Sequence, residues 1–518
     1  LKPYWRNQDS RPHLASCACR QYCSAMQSAV CYGTVDAAMV NELRALLAAD
    51  RVLDAKPDLD EFAQDMSYHD RAVPDVVVRP KTTEEVATVV RACARNHIPV
   101  VVRGAGTGVE GGCIPYFGGC VVDTSLLKHK ALVEGEQLAV VGAGVLKNEL
   151  NNFLAPHGLL FGPDPSSNPS IGGMASTGGS GMSTLKYGTS KENIVSLLVV
   201  TPQGEIIRTR QPVRKASTGY ELNALYMGAE GTLGIITELT VRLFPLPRVR
   251  CGAVVVFPDV RAAAETVTAA VRANLSTLLR CELMNDEGIG CTNLVFGTAL
   301  EAAPTLFLEF SGNSREAAEG DWATMRAMAE ERGARSHRFA PSGEALDELW
   351  DARRGCYLSA MRYRGLSDGS GGKDAVFVGD VCVPVSQLAT CIDETEAEFK
   401  RAGFPCVICA HIADGNFHCL IPFKPEEKDR LVALEDKVIA RAIAMGGAAS
   451  GEHGVGVGKM RHICWEHGPC HIDIQRRIKR ALDPCCIMNP GKIFSMEPCE
   501  EERHTSVIKS RESGGSRL

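Results

Sequence analysis

The chain has 518 residues, 45% hydrophobic and 23% charged, with a formal net charge of −6. That length admits two to four domains with large cores, the mild acidic balance shows no bias toward binding polyanions, and no uninterrupted apolar run is long enough to span a bilayer. The 21 cysteines are scattered over the whole length, unlike a small secreted disulfide scaffold, and read as reduced thiols in an intracellular protein.

Residues 1–35 carry Lys2, Arg6, Arg11 and Arg20 against the single acid Asp9, the composition of a poorly ordered leader or an organellar transit segment. Residues 36–50 have helical periodicity. "PDVVVRP", 74–80, predicts a short strand stopped by Pro80. "KTTEEVATVVRACARNH" predicts a helix, with Thr82 and Glu85 as a capping box and Val86, Val89, Val90 and Cys93 along one face. "IPVVV", 98–102, predicts a strand, and "RGAGTGVEGG" follows it.

That loop contains a formal G-x-G-x-x-G at Gly106, Gly108 and Gly111. A Rossmann loop must open directly into a helix, whose N-terminus receives the pyrophosphate. Here "GCIPYFGGCVVD" comes next, where Pro115, Gly118 and Gly119 oppose a helix and "CVVD" reads as a strand. Without a helix, successive backbone N–H groups can still form an anion-binding nest. A second glycine segment, 162–189, holds three Pro and seven Gly, and a third, 227–247, is a tight glycine turn running into a β-rich stretch. Three such loops within about 150 residues point to backbone wrapped around a large cofactor rather than to idle surface loops. After Pro247 the texture changes: "GAVVVF", "TLFLEF" and "AVFVGDVCVPV" alternate with helical stretches, predicting a second α+β domain, with further helices over 426–446 and 471–482. There are no internal repeats.

Metal-ligand residues sit in "AHIADGNFH" and "GGAASGEHGVGVGK". A hairpin turning at Asp414-Gly415-Asn416 brings His411 and His418 side by side. Adding Glu452 gives two imidazoles and a carboxylate, a set that suits Zn²⁺ or Mn²⁺ and leaves positions open for substrate. His453, adjacent to Glu452, cannot easily ligate the same ion and is a natural general base. The blander alternative, isolated surface or core histidines, weakens when two lie at one turn and an acid–His pair lies in a glycine loop. Cys406 and Cys409 are three apart, which on a strand points them to opposite faces, so they read as core thiols rather than a chelating pair.

With these motifs in view, the chain resembles the FAD-linked oxidase family, with a flavin domain of the vanillyl-alcohol oxidase type; within it the nearest look is to D-lactate dehydrogenases that use cytochrome c. The resemblance runs from about Pro74 to Phe494 and is carried in order by "RGAGTGVEGG", 162–189, "GAEGTLGIIT", "GDVCVPV", "HIADGNFHC", "GEHGVGVGK" and "LDPCCIMNPGK". It implies an α+β fold: a two-part FAD-binding domain at 74–249, preceded by a leader and helix at 1–73, and an α+β substrate and metal domain with an antiparallel sheet at 250–494, returning to the flavin before a flexible tail at 495–518. It implies that Arg103, Gly104, Ala105, Gly106, Thr107, Gly108 and Gly112 cradle the FAD pyrophosphate. Pro163, Asp164, Gly172, Gly173, Thr177, Ser180 and Gly181 would line the flavin, Glu230, Gly231, Thr232 and Ile236 would complete the pocket, and Asn489 would reach back to it. The first loop holds no His, so the FAD is expected to be non-covalent. His411, His418 and Glu452 would hold the metal, His453 would act as base, and Arg353 would clamp a substrate carboxylate, its alternative being a solvated helix charge. Related 2-hydroxyglutarate dehydrogenases carry a lysine where this chain has Val378, which favours a small monocarboxylate.

The expected reaction is oxidation of D-lactate or a similar small D-2-hydroxy acid to the 2-oxo acid, passing electrons to cytochrome c or another acceptor. D-2-hydroxyglutarate and glycolate remain alternatives, and an alkylglycerone-phosphate synthase-like transferase or an inactive flavin-binding subunit ranks below them. No nucleic acid is expected as a partner. Ser516-Arg517-Leu518 is a close variant of the peroxisomal S-K-L tripeptide. It implies an import receptor and a peroxisome-like organelle, whereas a cytochrome acceptor implies mitochondria.

Overall fold

The computed structural model describes residues 31–497, apart from Asp368 and Ser370. Most of the basic leader and the Ser-Arg-Leu tail lie outside the described residues. The helix expected over 36–50 spans Ala37–Leu46: Asp36 caps it by accepting the Met39 N–H, and Leu47 turns extended and ends it. The helix over Thr83–Arg95 is capped as expected by Thr82, which accepts the Glu85 N–H. The Glu85 carboxylate accepts from Lys81 N and Arg51 as well, so it also ties this helix to the preceding segment.

The first half holds two sheets. One has the spatial order Val52–Leu53, Val76–Val78, Cys120–Asp123, Val100–Arg103. Its last three strands run parallel and the first is antiparallel. The other is antiparallel throughout, in the order Lys130–Leu132, Leu138–Gly142, Ile235–Arg242, Ile194–Val200, Ile206–Arg208. Both contribute to one apolar core, which includes Met39 and Leu43 from the N-terminal helix and Ile487 and Met488 from near the far end of the chain. Met488 bridges to Val100, and Asn489 N–H donates to the Val100 carbonyl, so the late segment docks on the strand that leads into the first glycine loop. The parallel strands are apolar on both faces, as a sheet covered on both sides requires.

The second half is a seven-stranded antiparallel sheet in the order Ser336–Ala340, Val249–Val256, Thr305–Gly312, Leu278–Met284, Val407–His411, Asn416–Phe423, Ala375–Cys382. The pleat divides its residues by period two. Ala253, Val255, Ile408 and Ala410 face a core with the helices Val260–Arg272, Arg315–Glu331, Val385–Arg401 and Lys428–Ala444. Val254, Val407, Cys409 and Leu420 face the other way, toward the helices Asp286–Phe296, Gly343–Arg354 and Cys356–Ser367. That second face also carries the site. The described residues contain no helix long and apolar enough to cross a membrane, and no two described cysteines are joined in a disulfide.

Candidate active site

A cavity of about 470 Å³ lies where the glycine loops meet the antiparallel sheet, a size usual for cofactor and substrate sites. Residues 104–108, Gly112, Gly172, Gly173, Thr177, Ser180, Gly181, Glu230, Gly231 and Ile236 line it, all expected from the sequence. As expected, no helix follows the first loop: 104–119 runs without one to the strand Cys120–Asp123. The second glycine segment is less loop-like than its composition implied. Ser170 accepts the Gly173 N–H and starts a helix at Ile171–Thr177, and Gly178, at φ 70°, ends it.

The loops are packed too closely for side chains. A Cβ on Gly104 would lie 2.2 Å from Ser170 Oγ, and one on Gly181, at φ 138°, would lie 2.4 Å from the Asp164 carbonyl carbon. Backbone edges therefore form much of this wall, a cradle that fits a diphosphate-bearing cofactor such as FAD.

Five expected flavin residues do not line the cavity: Arg103, Pro163, Asp164, Thr232 and Asn489. Four of them brace its wall. The Arg103 guanidinium lies under Gly106 and donates to the Gln64 carbonyl. Asp164 pairs with Arg280 and accepts the Ser183 N–H. The Thr232 carbonyl accepts from Lys479, and the Asn489 amide donates to the carbonyls of Gly112 and Glu230, clipping the first loop to the third. Asp65 and Met66, from the segment before the first parallel strand, line the cavity without having been expected there.

At the other end stand Arg353, Tyr357, Val378, Leu420 and the histidine–glutamate cluster. The strands Val407–His411 and Asn416–Phe423 pair with His411 opposite Asn416 and Cys409 opposite His418, so the two histidines lie diagonally on one face. His411 Nε2, His418 Nε2 and Glu452 Oε1 are mutually 3.2–3.3 Å apart. Donor atoms held about 2.0–2.1 Å from one tetrahedral ion are spaced by about 3.3 Å. The chemistry of the atoms agrees. His411 Nδ1 lies 2.7 Å from Glu282 Oε1; with the proton there, Nε2 presents a lone pair to a carboxylate oxygen that can only accept. With both rings neutral the convergent acceptors call for a cation; with the rings protonated, they instead hold Glu452 well below the usual carboxylate range despite its burial, and the carboxylates hold the two histidines up in return. Glu452 Oε2 accepts from Ser180 Oγ at 2.6 Å, joining this set to the second glycine loop. Cys406 and Cys409 are not part of it; they belong to opposite cores of the sheet.

His453 is stacked on His418, ring centroids 4.8 Å apart, and its side chain reaches the cavity. Burial lowers its pKa to about 4 against the opposing pull of Asp380, so at neutral pH the ring is neutral and can accept a proton. Arg353 is not a solvated helix charge: it is 4% exposed, with Nε and Nη2 donating to Glu282 Oε2 at 3.1 and 2.6 Å. Val378, the position that argued against a dicarboxylate, is in the cavity wall.

Sequence reasoning missed two carboxylates. Asp380 Oδ2 accepts the successive N–H groups of Gly451, Glu452 and His453 at 2.8–3.0 Å and so hangs the loop that carries Glu452 and His453 from one atom. Glu282 lies in the strand Leu278–Met284, directly opposite His411. Asp380 had one sequence signal: an acid inside an otherwise apolar strand must be buried and therefore paired. Glu230, in the left-handed region at φ 48°, turns its carboxylate to the N–H groups of Val455 and Gly456, locking the third glycine loop to the loop that bears Glu452 and His453.

Comparison with known proteins places this geometry. Residues 74–210 match the FAD binding domain and 246–493 the FAD linked oxidase C-terminal domain. Over 477 residues, 90% of this chain and 82% of the other, it is 35% identical to the mitochondrial D-lactate dehydrogenase [cytochrome] of Arabidopsis thaliana. It is 30% identical to a glycolate oxidase subunit of Bacillus subtilis, covering 84% of this chain and 92% of that one. Among solved structures, p-cresol methylhydroxylase superposes with a TM-score of 0.72 at 20% identity, covering 90% of this chain and 98% of the other, so the fold is of the vanillyl-alcohol oxidase type. With both domains matched in order around one cavity, the chain belongs to the FAD-linked oxidases and is an FAD-dependent oxidoreductase.

Proposed function

We propose that the protein oxidises a small D-2-hydroxy acid, D-lactate first, to the corresponding 2-oxo acid, with a Zn²⁺ or Mn²⁺ ion at His411, His418 and Glu452. The observation that carries this reading is the triangle of acceptor atoms beside a neutral, cavity-facing His453, at the sheet end of a cavity whose other end is the glycine cradle. Residues 104–108 and the second and third glycine loops would hold non-covalent FAD, which when bound supplies the two-electron acceptor. A divalent ion, when bound, lowers the pKa of the substrate hydroxyl.

The chain's own residues do the rest. Arg353, fixed by Glu282, offers its guanidinium to the substrate carboxylate, a planar fork suited to that group. His453 Nδ1 is buried 3.8 Å from Asp380 Oδ2, which leaves Nε2 to take the hydroxyl proton. Val378 and Leu420 give the cavity an apolar wall suited to a methyl-sized side chain. The name of the Arabidopsis relative supports D-lactate, a cytochrome acceptor and a mitochondrial location, and favours that location over a peroxisome-like one. Glycolate is the second reading, favoured by the Bacillus relative.

The test is anaerobic. D-lactate, L-lactate, glycolate and D-2-hydroxyglutarate are each mixed with the holoprotein while the oxidised-flavin absorbance is followed. Rapid bleaching by D-lactate, abolished by a chelator and restored by Zn²⁺ or Mn²⁺, is the expected result. Bleaching by glycolate alone would move the assignment to the second reading. Chelator-insensitive bleaching would remove the ion from the reaction.

A further inference from the structure

We infer that Glu282 couples ion binding to substrate-carboxylate binding, a positioning role that rests on the function proposed above. Glu282 is 1% exposed and both its oxygens are committed. Oε1 meets His411 Nδ1 at 2.7 Å, and Oε2 accepts from Arg353 Nε at 3.1 Å and Nη2 at 2.6 Å. One rigid carboxylate thus fixes the ring of an ion-ligating histidine and the fork of the arginine offered to the substrate. The strand holds it in place: Glu282 is in direct register with His411 on one side and with Phe307 on the other. Arg353 reaches it from the helix Gly343–Arg354, and both Arg353 and His411 open onto the cavity.

A hydroxy acid bound between Arg353 and an ion on His411 closes a loop of contacts through Glu282. Ordering either side of that loop prepares the other, so each ligand tightens the other by the same factor. The carboxylate also selects the tautomer. While it accepts from Nδ1, the His411 lone pair is at Nε2, facing His418 and Glu452.

The test uses the flavin-loaded full chain, stripped of metal and titrated calorimetrically with Mn²⁺ and, separately, Zn²⁺, with and without pyruvate. In the wild type pyruvate is expected to tighten ion binding about tenfold, and the ion to tighten pyruvate equally. Glu282→Gln is expected to reduce that factor to about twofold or less while flavin absorbance and circular dichroism are retained, and Glu282→Asp to restore part of it. Undiminished coupling in Glu282→Gln overturns the inference and leaves the proposed function standing, as does a wild type whose ion affinity ignores pyruvate. A wild type that binds neither ion removes the proposed ion and the inference with it. If Glu282→Gln loses its flavin or fold, Glu282→Ala decides, read on the fraction that retains flavin, and full coupling there overturns the inference.

Discussion

The two ends of the cavity are built by different means. The cradle end is backbone: glycines stacked so tightly that added side chains would overlap Ser170 or the Asp164 carbonyl. The sheet end is side chain: imidazoles, carboxylates and a guanidinium, braced by the buried carboxylates of Glu282 and Asp380. The first end tolerates almost no atom added, and the second almost none exchanged. Substitutions should therefore separate cofactor retention from chemistry.

The largest effect is expected at the cradle. Gly104→Val should purify with less than roughly a tenth of the wild-type flavin, because the new Cβ has no space; a variant with full flavin absorbance would break the comparison. His453→Ala should keep its flavin yet reduce it by D-lactate about 10²–10⁴-fold more slowly in stopped flow. Chelation, or His418→Ala, should cost about 10²–10³-fold in the same assay with the flavin spectrum unchanged. Glu230, which joins the two ends, titrates at about 7 because burial raises it above the ordinary 4.5. Its stabilising protonated state is complete below pH 4.5 and is lost as pH rises through about 7. Denaturant unfolding of the apoprotein should therefore show about 3 kcal/mol less stability from this group at pH 8 than at pH 4, a share of the slope that Glu230→Gln removes while that from buried Glu396 and Asp414 remains. The smallest effect is expected for Ser180→Ala, about 1 kcal/mol from one lost hydrogen bond to Glu452, read as a few-fold weaker ion affinity.

This division also governs what could be read in advance. Backbone recognition leaves glycines, prolines and their spacing in the sequence, so the three loops and the missing helix after the first were legible. The hairpin was legible as well, because Asp414-Gly415-Asn416 between apolar runs fixes where it turns. Glu282 and Asp380 were not, because their partners lie 129 and 71 residues away along the chain. Only the sheet order brings Glu282 to His411, and only the bridge from Cys382 to Ala448 brings Asp380 to Gly451. Arg353 was named, but its binding to Glu282 could not be inferred from charged neighbours on its own helix. The helix at Ile171–Thr177 was hidden by glycine content, which lowers propensity without forbidding a helix that Ser170 caps and tertiary packing buries.

The docking of residues 487–489 onto the strand at Val100 has a consequence for how the molecule is made. The Asn489 amide contacts Gly112 and Glu230 across sequence separations of 377 and 259 residues. During synthesis the cradle's first and third loops both emerge well before the clip that fastens them together. The cofactor end of the molecule therefore closes only after all seven strands of the sheet end have been made. A nascent chain should therefore hold flavin weakly until that clip clears the ribosome, so biogenesis depends on a residue far in sequence from the loops it secures.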